Sequence, residues 1–240
     1  LLTYGAHTDE ISEALWHPDG RRVVTGSKDG TVHIWDSETG ETLAELDQSG
    51  HGVHHIEWNR AGDRLLTGDQ GSGARIWAAE DGELLLDLAG HTGWVTAGGW
   101  TADESRILTV GDDAARLWDA ENGELLLTLP GDGNQVSGGA FSPDELQIAV
   151  AVESIGILLW DAGTGELLER IPVDRFSDEL QWSHDGQRLA GWGDQGIRQY
   201  LMDVEELVNI ACQRAGRPLT LEERAQYMGE APYSAVCGAR

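Results

Sequence analysis

Two series of aromatic residues locked to one period constrain this chain more than any other feature. Trp35, Trp77, Trp118 and Trp160 stand 42, 41 and 42 residues apart, and Tyr200 follows 40 later. Trp16, Trp58, Trp100, Phe141 and Trp182 form a second series at 42, 42, 41 and 41. The surrounding text recurs with them: GETLAEL, GELLLDL, GELLLTL and GELLERI close four successive copies at Leu46, Leu88, Leu129 and Ile171. A period of this length marks one supersecondary unit copied along the chain. No copy can bury its own apolar face, so each must cover its neighbour.

Within each unit the pattern predicts four short strands. In the first copy, strand a is Ile11–Trp16, followed by the turn residues Pro18, Asp19 and Gly20. Strand b is Arg22–Gly26, and Lys28-Asp29-Gly30 turns tightly into strand c, Thr31–Trp35. Asp36–Gly40 then leads into strand d, Thr42–Leu46. On strand c, Val32 and Ile34, Ala74 and Ile76, Ala115 and Leu117, and Ile157 and Leu159 alternate as the buried positions of a strand should. Sheets of this kind, stacked radially, cover one another. The copies run from about 5–46, 47–88, 89–129, 130–171 and 172–201. Residues 1–4 align with Leu85–Leu88, the outer strand of a preceding unit.

The pairs Trp35-Asp36, Trp118-Asp119 and Trp160-Asp161, with Gly50-His51 and Gly90-His91, resemble the signature of WD-repeat β-propellers over roughly residues 1 to 201. Repeat 2 departs at Trp77-Ala78 and repeat 5 at Tyr200. The resemblance implies an all-β propeller segment of five blades. Two placements of residues 1–4 stay open: closing a five-bladed ring on the fifth set, or, as expected here, belonging to a larger propeller. The resemblance also implies a buried hydrogen-bonded tetrad of Asp, His, hydroxyl and indole: His7, Thr25, Asp29 and Trp35 in repeat 1, and His91, Thr109, Trp118 and Asp112 (or its neighbour Asp113) in repeat 3. Repeat 2 keeps Thr67 and Trp77 but has Ser49 at the aligned His position. Repeats 4 and 5 have lost the set.

A hydroxyl, a His and an Asp together also describe a nucleophilic triad. The set is repeated, however, and its hydroxyl is a Thr tied to an indole, so the structural role is expected and no catalytic residue is assigned. The run His51, His54 and His55 lacks a nearby Cys or clustered carboxylate and is expected to be a loop, not a metal site. No phosphate-binding glycine loop or calcium loop is present, and no cofactor is expected.

What remains is the face where the d–a and b–c loops emerge. Glu10, Trp94, Gln135 and Phe176 stand at its loop positions, and Trp192 in the fifth b–c turn. Exposed aromatics there fit anchors for a protein or peptide partner. The opposing possibility is that Trp94 and Phe176 fold back over their own blades. The chain carries 42 acidic against 16 basic residues, a net charge of −26, which repels phosphate backbones and attracts basic partners. No nucleic acid is expected.

No apolar run approaches the 18 residues of a membrane span, and none resembles a leader. Two cysteines, Cys212 and Cys237, fit a reducing cytoplasm. Residues 202–240 read as an α-helical tail: Met202–Ala215 has helical apolar spacing, and Thr220 to Glu223 forms a capping box. This tail resembles those of bacterial multidomain WD-repeat proteins that carry STAND-type NTPase domains. The expected function is a non-catalytic interaction scaffold, monomeric or part of a larger signalling chain. A propeller hydrolase with a channel site and a purely structural spacer are the alternatives.

Overall fold

The aromatic period becomes a period of sheets. In the computed structural model, which describes residues 2–48, 50–172, 179–193 and 196–201, every strand is antiparallel to its neighbours. The first sheet holds β1 (Ile11–Trp16), β2 (Arg22–Ser27), β3 (Thr31–Asp36) and β4 (Thr42–Asp47). The second holds β5 (Val53–Trp58), β6 (Arg64–Asp69), β7 (Ala74–Ala78) and β8 (Leu84–Asp87). The third is β9 (Val95–Trp100), β10 (Arg106–Gly111), β11 (Ala114–Asp119) and β12 (Leu125–Pro130). The fourth is β13 (Val136–Phe141), β14 (Gln147–Val152), β15 (Gly156–Asp161) and β16 (Leu167–Pro172). The fifth has three described strands: β17 (Glu179–Trp182), β18 (Arg188–Gly193) and β19 (Gly196–Leu201). The helices expected beyond residue 201, with Cys212 and Cys237, lie outside the described residues.

Strands pair in sequence order inside each sheet, and the same irregularity recurs where strands c and d meet, at Ile34/Trp35, Ile76/Trp77, Leu117/Trp118 and Leu159/Trp160. A bulge at a fixed place adds the same twist to each sheet, which lets the copies stack alike. The core lies between sheets. Val24, Val32, Ile34 and Leu46 of the first pack on Val53, Ile56, Trp58 and Leu65 of the second, and the pattern repeats down the chain. Each fully buried Ile or Leu there stabilises by about 1.5–3 kcal/mol.

The Asp after the Trp earns its place at the c–d turn. Asp36 Oδ1 accepts the N–H groups of Glu38 and Thr39, both at 2.9 Å, and Asp161 Oδ1 accepts those of Gly163 and Thr164. Those N–H groups hold both carboxyls below the usual carboxylate range. Gly40 closes the first such turn at φ 74°, a left-handed conformation that favours glycine.

At the a–b turns, Gly20 and Gly62 occupy left-handed positions where the third and fourth sheets place Glu104 (φ 58°) and Glu145 (φ 59°). A side chain costs about 1–2 kcal/mol there. Each Glu offsets the cost by reaching back one sheet: Glu104 accepts the Ala61 N–H at 3.0 Å and the Asn59 amide at 2.9 Å, and Glu145 accepts the Ala102 N–H. The turns are thereby clasped from sheet to sheet.

Residues 2–4, expected as part of an outer strand over 1–4, form no strand. They nevertheless lie where an outer strand of a preceding sheet would. Leu2 rests on Gly40 as Leu86 rests on Gly123, and Tyr4 stacks flat on Trp35 (4.6 Å, 3°), where Leu88 packs with Trp118 in the third sheet. Among the described residues Tyr4 belongs with the first sheet, and no fourth strand completes the fifth.

Candidate functional site

The expected tetrads sit between the d–a loop, the b–c turn and strands b and c, and they are unequal. In the third sheet the set is complete. His91 Nε2 is 2.7 Å from Thr109 Oγ1, and the Trp118 indole N–H donates to the same oxygen at 2.7 Å. The carboxylate is Asp113, whose Oδ1 lies 2.8 Å from His91 Nδ1, and not Asp112. Asp113 stands four residues after Thr109, as Asp29 does after Thr25, so the residue missing from this b–c turn falls after the carboxylate; Asp112 instead uses its N–H on the Trp94 carbonyl and accepts the Gln135 amide at 3.2 Å. Arg116 adds a charge partner, 2.8 Å from Asp113 and 2.6 Å from His91. Burial pushes His91 down and keeps it neutral. Burial works to raise Asp113, but its bonds to Arg116 and His91 outweigh this and hold it well below the usual range.

In the first sheet the set is broken at its last link. His7 Nε2 is 2.8 Å from Thr25 Oγ1, and His7 Nδ1 is 3.1 Å from Asp29. The Trp35 indole N–H, however, is buried and meets no partner. Trp35 lies flat against Tyr4, and in that pose its N–H does not address Thr25. Where the second and third sheets carry Arg75 and Arg116, the first carries His33, stacked on His7 at 4.1 Å. Burial works to raise Asp29, but hydrogen bonds from Thr31 and the Thr8 N–H hold it low.

The second sheet rebuilds the network with different chemistry. Gln48, fully buried, donates its amide to Thr67 Oγ1 at 2.9 Å, and the Trp77 indole donates there too. Arg75 joins Gln48 Oε1 (2.8 Å) to Asp69 (2.6 Å). Sequence alignment pointed one residue away, at Ser49. The surviving Thr67–Trp77 pair was a signal that some neighbour must saturate the hydroxyl, and Gln carries both a donor and an acceptor. His51 instead lies over Gly71, where a Cβ would meet its ring at 2.4 Å.

The loop face places Trp94 at 46% exposed, with its ring tilted against His54 of the neighbouring sheet at 5.3 Å. It therefore does not fold onto its own blade. Glu10 is exposed and paired with Lys28 at 2.7 Å, and Gln135 is anchored on Asp112. Phe176 lies outside the described residues. Trp192 was expected in a turn but lies on β18, its backbone paired with Ile197; its side chain lies outside the description. Among the described residues no group of three His, Cys, Asp or Glu is arranged to hold a metal ion. No described helix is long and apolar enough to cross a membrane.

Below the loop face, the innermost strands border an open cleft of about 630 Å³ lined by Glu13, His54, His55, Glu57, Asp112 and Glu179, among others. His55 Nε2 faces the Gly98 carbonyl at 3.1 Å, and its Nδ1 lies 3.5 Å from Glu13, so the ring bridges three sheets. Burial pushes the Glu57 carboxyl up; His55 opposes this and Glu13 adds to it. Sequence reasoning missed this cluster because it is assembled from strands one period apart.

Repeated four-stranded antiparallel sheets, each carrying a Trp on its third strand, are the architecture of WD propellers. The family model "WD domain, G-beta repeat" matches residues 1–36 and 82–119. The chain is similar to human WD repeat-containing protein 38, 37% identical over 43 residues, or 18% of this chain and 14% of that protein. It is similar over 43 residues to the guanine nucleotide-binding protein subunit beta of Zea mays, 42% identical, covering 18% of this chain and 11% of that one. These matches span roughly one repeat of much longer relatives. The computationally designed Ika8 protein has the same fold over 82% of this chain and 59% of its own, with a TM-score of 0.71 and 23% identity. WD repeats imply a protein-interaction scaffold role, and proteins built from them are generally non-catalytic.

Proposed function

We propose that this chain is a non-catalytic scaffold whose d–a and b–c loop face receives a protein partner, with Trp94 as its central aromatic anchor. The observation that carries this reading is the exposure of Trp94, whose ring rests against His54 and whose carbonyl accepts the Asp112 N–H. A large, pre-oriented aromatic on a rigid scaffold contributes contact area at low entropic cost. The tetrads are already saturated by one another in the second and third sheets, which favours a structural role for them over catalysis. Relatives such as a target of rapamycin complex subunit of Schizosaccharomyces pombe and an APC complex cofactor of Arabidopsis thaliana carry names of assembly components, in keeping with this role. The net charge of −26 favours a basic partner and disfavours nucleic acid. The tail's likeness to bacterial multidomain proteins supports placing the scaffold in a larger signalling chain.

A photo-crosslinking amino acid at position 94, compared with one at Leu126 on the outer strand β12, tests this. The reading expects a discrete protein adduct from position 94 that is absent from position 126. Equal labelling from both positions, or none from 94, contradicts it.

A further inference from the structure

On the side of the a–b turns, opposite the loop face, the chain's own nitrogen-bearing side chains fill the gaps between the first four sheets. Between the first and second, His17 meets the Trp58 ring edge-on at 4.9 Å and lies 2.7 Å from the Gly62 carbonyl oxygen. Between the second and third, Arg64 donates to the Ala120 carbonyl at 3.0 Å. Between the third and fourth, Arg106 donates to the Ala162 carbonyl at 3.2 Å, sets its guanidinium 5.9 Å from the Phe141 ring centre and faces Glu145.

The gap between the fourth and fifth sheets has no such filling among the described residues. Ser142 stands at the register of His17, and Gln147 at that of Arg64 and Arg106, the first residue of strand b in each sheet. Gly186 (φ 71°) takes the place of Glu145. These shorter side chains leave an open cleft of about 510 Å³, a size typical of ligand sites. Gln147, Trp182 and Gly186, the counterparts of Arg106, Phe141 and Glu145, all border it. The cleft therefore lies where the preceding pair of sheets holds its guanidinium, and the repeat supplies an internal template for what it accepts.

The walls suit a cation. Trp182, the ring type that draws a cation most strongly, is fixed across the gap by its indole N–H on the Ala140 carbonyl at 3.3 Å. Asp144 and Asp185 bring one carboxylate from each sheet. Asp144 Oδ1 accepts the Ser142 hydroxyl and the Leu146 N–H, and Asp185 Oδ1 accepts the Ser183 hydroxyl and the Gln187 N–H. Those bonds hold both carboxyls below the usual range, so both are charged at neutral pH. Glu169 adds a third carboxylate from β16, opposite Leu159. No Lys or Arg is among the described residues that border the cleft.

We propose that this cleft binds an arginine side chain of a partner protein, its guanidinium over Trp182 and its charge partners Asp144, Asp185 and Glu169. The site is independent of the loop-face reading, because it opens between a–b turns at the other end of the sheets. The incoming guanidinium makes the contact that Gln147 is too short to make, as Arg106 makes it on Phe141. A planar guanidinium stacks on a ring while its N–H groups reach carboxylates, and charge-assisted hydrogen bonds are among the stronger polar contacts. The aliphatic stem covers Leu159 and Pro143 on the way in.

The test is isothermal titration calorimetry of the 240-residue chain with two blocked alanine pentapeptides whose central residue is arginine or citrulline, its uncharged isostere. The arginine peptide is expected to bind at least about ten-fold more tightly, a factor a single charge-assisted contact supplies. Gln147→Arg gives the fourth sheet the residue that the second and third already carry. It is expected to fill the cleft, abolish binding and raise the thermal midpoint. Glu169→Gln, an exposed change, is expected to weaken binding of the arginine peptide and to leave the midpoint where it was. Equal binding of the two peptides, no binding of either, or undiminished arginine binding in either variant would overturn the proposal. Crosslinking from position 94 reads the loop face separately, so the two readings stand or fall apart.

Discussion

The first and third sheets share one backbone plan and differ in how they satisfy one hydroxyl. Thr109 Oγ1 serves two buried nitrogens, from His91 and Trp118, while Thr25 Oγ1 serves His7 alone and leaves the Trp35 indole without an acceptor. The flanking carboxylates are held low in both, so the difference does not lie in the charge partner. It lies in what leans on the Trp. Trp118 is packed with Leu88, which follows β8 of the sheet before, and with Val95 on β9 of its own sheet, whereas Trp35 faces Tyr4, a flat ring that stacks on the indole. Sequence motifs therefore name the members of such a network, but a neighbouring sheet decides whether the last bond forms.

The largest expected effect that sharpens this contrast is truncation of the two tryptophans. Trp118→Ala is expected to cost about 3–5 kcal/mol, as for a fully buried aromatic. Trp35→Ala is expected to cost clearly less, because part of its surface is open and its indole N–H has no bond to lose; chemical denaturation of the two variants compares them. Gln48→Leu, which strips one partner from Thr67 and one acceptor from Arg75, is expected to destabilise by about 1–3 kcal/mol. If Gln48→Leu were neutral, the second sheet would not depend on the substituted network.

Two smaller effects oppose each other in sign. Asp113 is held below the ordinary carboxylate pKa of about 3.9, so its bonds stabilise the fold above that value and are lost as pH falls through the folded pKa. Asp113→Asn is therefore expected to lower the thermal midpoint at pH 7 and to flatten its decline in acid. Glu57 is shifted the other way, so its charged form weakens the fold above the ordinary glutamate pKa of about 4.3. Glu57→Gln is expected to raise the midpoint slightly at pH 7, with the gain vanishing in acid.

Much of the fold was legible from the period alone. The strand bounds of the first sheet follow from the aromatic positions and the Asp-Gly turns, and the alternating residues of strand c are all buried. Three features were not legible, each for a physical reason. Counting forward from Thr109 points to Asp113 and counting back from Trp118 points to Asp112, so the b–c turn shortened by one residue left the two undivided in the sequence. Gln48 replaced a His through a different donor and acceptor geometry, which no residue-type motif anticipates. The Glu13, His55 and Glu57 cluster draws on strands 42 residues apart, so only the stacking of sheets brings it together. Likewise, residues 1–4 align in sequence with an outer strand, and Tyr4 lies against Trp35, but residues 2–4 form no strand.

The contrast between the two hydroxyls is tested most directly by native-state hydrogen exchange in Thr109→Val and Thr25→Val. Removing Thr109 Oγ1 strands two buried nitrogens, each costing about 1–3 kcal/mol, while removing Thr25 Oγ1 strands one. Amide protection is expected to fall about twice as far, in free energy, along β10 and β11 in the first variant as along β2 and β3 in the second. Equal losses, or a larger loss in the first sheet, would mean that Trp35 and Trp118 are held alike and would contradict the account.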